Sequence, residues 1–254
     1  MKHIPRKRFG QNFLTDQAVL DDIIRAIAPH ADDTMIEIGP GQGAMTRLLL
    51  AHLARLQVIE LDRDLVAMLQ KKFSVDKLVI HSGDALQFDF GALQPAQGKL
   101  RIVGNLPYNI SSPLLFHLAQ FASQVQDQHF MLQKEVVARM VASPGGKDYG
   151  RLSVMLQWRY QMEMLFIVPP SAFDPPPKVD SAIVRMRPLS SPLRCDEFKL
   201  SQVVTQAFSQ RRKVIRNSLA GYFNEPQLVA AGIDPQARPE TIGLEQYVAL
   251  AQLG

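Results

Sequence analysis

Residues 34–43 read Thr34-Met35-Ile36-Glu37-Ile38-Gly39-Pro40-Gly41-Gln42-Gly43, and the fold follows from how this stretch is read. Thr34–Ile38 reads as a short strand that runs straight into three glycines at alternate positions. Glycine lets the backbone turn tightly and approach a ligand with no Cβ in the way. A helical pattern over 44–54 follows, and a helix start offers unpaired N–H groups. The spacing is G-x-G-x-G, not the G-x-G-x-x-G of dinucleotide binders. Taken alone, the same residues also describe a purely structural turn.

Working outward, residues 16–28 place Val19, Leu20, Ile23, Ile24 and Ile27 at helical spacing. Strands are predicted at 56–60, at 77–81 before Gly83-Asp84, and at 100–104 before Asn105, with a helix at 63–73. Helical patterns at 112–122 and 133–142 flank an apolar stretch at 128–132. Strand-like runs follow at 152–158, 163–168 and 179–186. Strands alternating with helices at this pace predict βαβ units and a mostly parallel sheet. The short connections late in the series predict an antiparallel edge. After Pro188 the pattern changes: SSPLR reads as a linker, and 196–209, 211–221, 225–231 and 243–252 read as short helices. The expected division is an α/β domain over 1–188 and a small all-helical domain over 189–254.

Composition sets the bounds. The chain has 254 residues, 46% hydrophobic and 20% charged, enough apolar material for a full core and unlike a disordered chain. Lys and Arg number 28 against 24 Asp and Glu, a net charge of +4, too small to prove a nucleic-acid partner. Cys195 is the single cysteine, which excludes an intrachain disulfide and a Cys-rich zinc site. No apolar run approaches the ~18 residues of a membrane span. The basic start has no apolar stretch behind it, so a signal peptide is not expected. A cytoplasmic setting is the expectation. The six histidines show no i, i+4 pairing, so no metal site is expected. The serines lack a nucleophile-elbow context.

Charge placement says more than its sum. Lys2, Arg6, Lys7 and Arg8 crowd the first ten residues without an acid, and Arg211, Arg212, Lys213 and Arg216 form a second cluster. Such clusters face phosphate or simply form a solvated surface.

Three further strand ends carry residues shaped for a ligand. Glu60 closes the second strand, where a carboxylate can accept both hydroxyls of a ribose. Asp84 closes the third and can accept a bond from an exocyclic adenine amine, or cap the next turn. Together with Gly39 and Gly41 they favour a nucleoside lying across the C-terminal edge of the sheet. Glu37 would repel a phosphate and suits a cationic group. S-adenosyl-L-methionine carries adenosine, sulfonium and ammonium and no phosphate, and that match points to a methyltransferase. The fourth strand ends in Asn105-Leu106-Pro107-Tyr108. An aromatic exocyclic amine is a poor nucleophile because its lone pair is spread into the ring. Accepting its N–H protons on the Asn105 side-chain carbonyl and the Leu106 backbone carbonyl favours attack. Pro107 stiffens the loop, and Tyr108 can stack on the base. A structural Asn-Pro turn is the alternative. Phe173, in a proline-rich loop, either covers the other face of the base or anchors the core.

The sequence resembles the ribosomal RNA small-subunit adenine N6,N6-dimethyltransferases (the KsgA or RsmA type). The matching stretches include KRFGQNFL (7–14), EIGPGQGAMT (37–46), GNLPYNISSP (104–113), FDPPPKVDSAIVRM (173–186) and AFSQRRKVIRNSL (207–219), and they run in order along nearly the whole chain. The resemblance implies a class I seven-stranded methyltransferase sheet with a helical C-terminal domain that binds rRNA and the ribosome. It implies S-adenosyl-L-methionine as cofactor, a role in rRNA processing and ribosome biogenesis, and a monomer. The implied reaction dimethylates two adjacent adenosines in the 3′-terminal hairpin loop of 16S rRNA, on a late 30S assembly intermediate. Carried over, cofactor contacts fall on Asn12, Leu14, Gly39, Glu60, Asp84 and Asn105, and base handling on Asn105, Leu106, Pro107, Tyr108 and Phe173. RNA contacts are expected at Lys7, Arg8, Arg211, Arg212, Lys213 and Arg216. Three other readings stand beside it: a large-subunit rRNA dimethyltransferase, a DNA adenine methyltransferase, and a non-enzymatic assembly factor with a vestigial pocket.

Overall fold

The computed structural model describes residues 11–210 and 212–253. Seven strands form one mixed sheet: β2 (Thr34–Ile38), β3 (Leu56–Glu60), β4 (Leu78–Ser82), β5 (Leu100–Asn105), β6 (Val125–Gln133), β7 (Tyr160–Val168) and β9 (Ser181–Pro188), in the order β4-β3-β2-β5-β6-β9-β7. The first five are parallel, and β9 runs antiparallel to β6. Two two-residue strands, β1 (Phe13–Leu14) and β8 (Phe173–Asp174), pair antiparallel apart from that sheet. Helices α1 (Gln17–Ile27), α2 (Ala44–Leu49), α3 (Arg63–Lys72) and α4 (Ser111–Ala119) alternate with the parallel strands, except between β4 and β5, where a 3-10 turn at Phe90–Leu93 takes the place of a helix.

Helix α1 begins where the Asp16 carboxylate accepts from the Val19 N–H. Its Leu20, Ile23 and Ile27 recur on one face and pack in the same apolar cluster as Met35, Val58, Val103, Met131 and Ile183 of the sheet. Each such side chain, taken fully out of water, contributes about 1.5–3 kcal/mol before entropy is counted. The helix ends at Ala28, whose φ of 47° is left-handed. The carbonyls of Ile27 and Ala28 accept from the Arg101 guanidinium at 2.5 and 3.2 Å. The same guanidinium makes two 2.9 Å bonds to Asp127 and one of 2.6 Å to Asp33. A register irregularity between Leu100 and Arg101 sets Asp127 opposite Arg101. A bulge re-aims a side chain in this way.

Gly104, near the end of β5, meets the requirement for close approach. A Cβ there would lie 2.6 Å from the Ile38 carbonyl oxygen of β2.

The chain divides into two compact units, Met1–Val137 with Glu163–Pro188, and Ala138–Met162 with Leu189–Gly254. The second holds α6 (Arg151–Gln157), α7 (Glu197–Ser209), α8 (Ile215–Ser218), α9 (Glu225–Ala230) and α10 (Leu244–Leu253), and the division at 137/138 falls within α5 (Lys134–Val141). One division falls at 188/189, but residues 138–162 group with the C-terminal helices instead of with 1–188. The cause is local: 152–158, expected as a strand, is mostly α6. Around it Trp158 Nε1 donates to the Leu193 carbonyl at 2.7 Å, Gly145 N donates to Glu240 O at 2.7 Å, and the Tyr149 and Phe208 rings meet edge-on at 6.3 Å. The helix expected over 211–221 shrinks to α8. Val214 is extended, Lys213 N closes a turn on Gln210 O, and Gly221 adopts φ 86°.

Arg101→Leu leaves the carboxylates of Asp127 and Asp33 unpaired, and breaking a buried pair costs about 3–5 kcal/mol. Urea unfolding is expected to show a loss of that size with little change in slope, while Arg25→Leu, whose pair with Asp22 is exposed, stays within about 1 kcal/mol of the parent.

Candidate active site

The sheet order reverses between β2 and β5, and ligands of open α/β sheets bind at such a point, beyond the carboxyl ends of the strands. There the chain forms a cavity of about 250 Å³, lined by Gly39 and Gly41 after β2, Glu60 at the end of β3, Asp84 after β4, and Asn105 to Asn109 at and after β5. The glycine loop needs its glycines: Gly39, Gly41 and Gly43 have φ of 66°, 57° and 77°, and a Cβ on Gly41 would meet the Phe13 ring at 3.0 Å.

Glu60 is 6% exposed. Its two oxygens accept from Asp62 N at 2.8 Å and Gly41 N at 3.3 Å, which ties the glycine loop to β3. Burial pushes its carboxyl above the ordinary range, and those backbone N–H groups oppose the shift. Asp84 meets the capping reading and stands at the cavity wall. One oxygen accepts from Leu86 N at 2.9 Å and caps the turn. Leu106 N donates to Met131 O, Ile110 N to Pro107 O, and Ser111 Oγ to Tyr108 O, which fixes the loop backbone. Asn105 Nδ2 donates to the Asn12 carbonyl at 3.1 Å. A carbonyl only accepts, so this bond settles the sense of the amide.

A second cavity, about 340 Å³, shares Phe13, Gly39, Gly41 and Asn105 with the first and reaches inward to Glu37 and His129. Glu37, Val103 and His129 stand in one row across β2, β5 and β6. Glu37 is buried and accepts from the Thr46 hydroxyl at 2.6 Å. Desolvation pushes its carboxyl up to about 7, the Thr46 bond opposing and the nearby Glu60 charge adding. Burial holds His129 down at about 4, so its imidazole is neutral. Its two nitrogens make no hydrogen bond among the described residues.

The structure thus brings Asn12, Gly39, Gly41, Glu60, Asp84, Asn105, Leu106, Pro107 and Tyr108 to one cavity. Leu14 lines the second cavity. Phe173 lines neither: it is 4% exposed and packed in the apolar cluster, because its pairing with Leu14 between β8 and β1 sets it there. The core-anchor reading describes this state. Lys7, Arg8 and Arg211 lie outside the described residues. Arg212 and Lys213 are exposed on the turn before α8, and Arg216 is exposed and paired with Glu225 at 3.2 Å. Sequence reasoning missed Gln11 and Phe13, which also line the first cavity. Gln11 donates to Asp62 at 3.1 Å. Neither spacing nor periodicity marks these two, and the QNFL stretch beside Asn12 is the one signal that could have found them.

A family model described as "Ribosomal RNA adenine dimethylase" matches residues 2–253. The ribosomal RNA small subunit methyltransferase A of Herminiimonas arsenicoxydans is 71% identical over 252 residues, covering 99% of this chain and 99% of that protein. The protein of the same description from Laribacter hongkongensis is 58% identical over 253 residues, covering 98% and 96%. Among solved structures, a dimethyladenosine transferase from Plasmodium falciparum superposes with a TM-score of 0.78 at 25% identity, covering 94% of this chain and 95% of that one. The 23S rRNA methyltransferase ErmE gives 0.72 at 26% identity, covering 95% and 98%.

Glu37 makes stability depend on pH with a definite sign. Its folded pKa is raised from 4.5 to about 7, so the folded chain keeps a proton that the unfolded chain releases. The contribution is complete below pH 4.5 and is lost as pH rises through about 7. Glu37→Gln keeps an acceptor for Thr46 and has nothing to ionise. Urea midpoints measured from pH 5 to 8 are expected to fall less steeply for Glu37→Gln than for the parent. Parallel curves would place the titration elsewhere.

Proposed function

The chain belongs to the ribosomal RNA adenine dimethylase family, and from that premise we propose that it dimethylates N6 of two adjacent adenosines in the 3′-terminal hairpin loop of 16S rRNA. The proposed substrate is a late assembly intermediate of the small subunit, met in the cytoplasm by a monomeric enzyme. The first cavity supports this reading: Glu60 and Asp84 share it with the Asn105-Leu106-Pro107-Tyr108 loop. S-adenosyl-L-methionine is the methyl donor, and bound there it supplies an electrophilic methyl on a positive sulfur. The walls fit it. Glu60 and Asp84 are set for the nucleoside, the glycine loop brings backbone close, and buried Glu37 lies behind, where a cationic tail is favoured.

The chain's own residues position the acceptor. With Nδ2 committed to the Asn12 carbonyl, Asn105 turns its oxygen to the amine of the target base. The Leu106 carbonyl is the second acceptor, and no group among the described residues donates to it. Two fixed oxygens hold the amine N–H bonds so that the nitrogen lone pair points at the methyl, and Tyr108 stacks on the ring. This is catalysis by orientation and preorganised dipoles. N6-monomethyladenine still has one N–H, so the second transfer uses the same geometry. The exposed Arg212 and Lys213 suit the phosphate backbone of the rRNA.

Parallel methyl-transfer assays with the assembly intermediate, large-subunit rRNA and duplex DNA test the reading; preference for either of the last two overturns it. Asn105→Ala is expected to lower the single-turnover rate by on the order of 10²–10³ while rRNA affinity changes little, as an interaction that matures in the transition state requires. The parent is expected to accumulate dimethyladenosine, read by mass after digestion to nucleosides. Arg212→Glu with Lys213→Glu should weaken substrate binding and flatten its salt dependence, by ~0.7–0.9 in log–log slope for each phosphate that is no longer neutralised. Affinity for S-adenosyl-L-methionine should hold. An unchanged slope removes these two side chains from the interface.

A further inference from the structure

Tyr108 sits on a loop, and the bonds to its neighbourhood from Ser111 and Ile110 hold backbone atoms only. A ring that stacks on a base also needs its far end held in place. The phenol end supplies the fixed point: the Tyr108 hydroxyl lies 2.6 Å from the Ser181 hydroxyl. Ser181 is fully buried and opens β9, paired in register with Gln133 at the end of β6. Beside it the Asp180 carbonyl accepts from Lys134 N at 3.0 Å, and the Asp180 carboxylate lies 3.3 Å from Lys134 Nζ. Ser181 is therefore anchored along the end of β6 and the start of α5, while the ring it holds lines the cavity.

We propose that Ser181 is a positioning residue for the methyl transfer: its bond to the Tyr108 hydroxyl holds the far end of the ring on which the target adenine stacks. The proposal rests on the stacking role given to Tyr108 above. Ser181 lines neither cavity and acts through the tyrosine. Burial holds the phenol above its ordinary range, with the Ser181 bond opposing, so the pair stays neutral and hydrogen-bonded throughout the range in which the enzyme would work. The hydroxyl does no chemistry, and its removal from either side of the bond has the same consequence.

The test compares the parent with Ser181→Ala, Tyr108→Phe, the double variant and Tyr108→Ala. Single-turnover rates are measured on pre-bound assembly intermediate. Stacking is read from the fluorescence of a reconstituted particle carrying 2-aminopurine at the target position. Urea unfolding, expected to give a cooperative transition with the parent's slope in each variant, confirms that each is folded. Ser181→Ala and Tyr108→Phe should each slow transfer by about five- to tenfold, the scale of one net hydrogen bond, and weaken the quenching of 2-aminopurine alike. The double variant should be no slower than either single, because both remove one bond. Multiplied losses in the double variant, or a parent-like rate in Ser181→Ala, overturn the proposal. Tyr108→Ala separates the two levels: full rate and full quenching in that variant overturn the stacking role itself, whatever Ser181 does.

Discussion

An arginine drawn out of water must have its N–H groups matched, and Arg101, 5% exposed, is matched by Asp127, Asp33 and two main-chain carbonyls. Those partners come from β6, from the approach to β2 and from the end of α1, so one guanidinium fastens three parts of the chain to β5. The segment leading into α1 contains Asn12, Phe13 and Leu14, and the strand that carries Arg101 ends in Asn105. The two ends of the site thus share one anchor. When Asn105 donates to the Asn12 carbonyl, it closes a loop whose far side Arg101 has already fixed.

The first cavity is acidic, and no cation lines it among the described residues. Glu60 adds to the cost of ionising Glu37, and both are buried. Such an arrangement is unfavourable for the protein alone and favourable for a positively charged ligand, which is the sense in which functional sites depart from the most stable packing. Neutral His129, further in, adds no compensating charge.

The sheet is legible in the sequence because its strands announce their ends chemically. Ile38 runs into a glycine, Glu60 and Asp84 break apolar runs, and Asn105 precedes a proline loop, so strand ends and site residues read together. The run at 152–158 misleads for a physical reason: Leu152, Val154, Met155, Leu156 and Trp158 make a nearly continuous apolar stretch, and such a run fits a buried helix as well as a strand. The Arg211–Gly221 stretch has a helical composition, but Ile215 N and Arg216 N bond to the carbonyls of Ala237 and Pro235, distant in sequence, and local pattern carries no trace of them. Ser181 is invisible for the same reason, since its partner lies 73 residues earlier. Phe173 stands between two roles in the sequence because a ring's surroundings depend on which strand its backbone joins, and a two-residue strand leaves no periodicity to read.

Gly104 shows what this geometry asks of heredity. Its missing Cβ would fall 2.6 Å from a main-chain carbonyl of the neighbouring strand, a group that cannot swing aside as a side chain can. Every amino acid other than glycine brings that carbon, so no replacement at this site is conservative, however small the new residue. Five positions on, Asn109 is exposed and lines the first cavity. Drift in this protein is therefore expected to be partitioned finely, with a closed position and an open one a few residues apart, and the boundary between them set by the spacing of two strands.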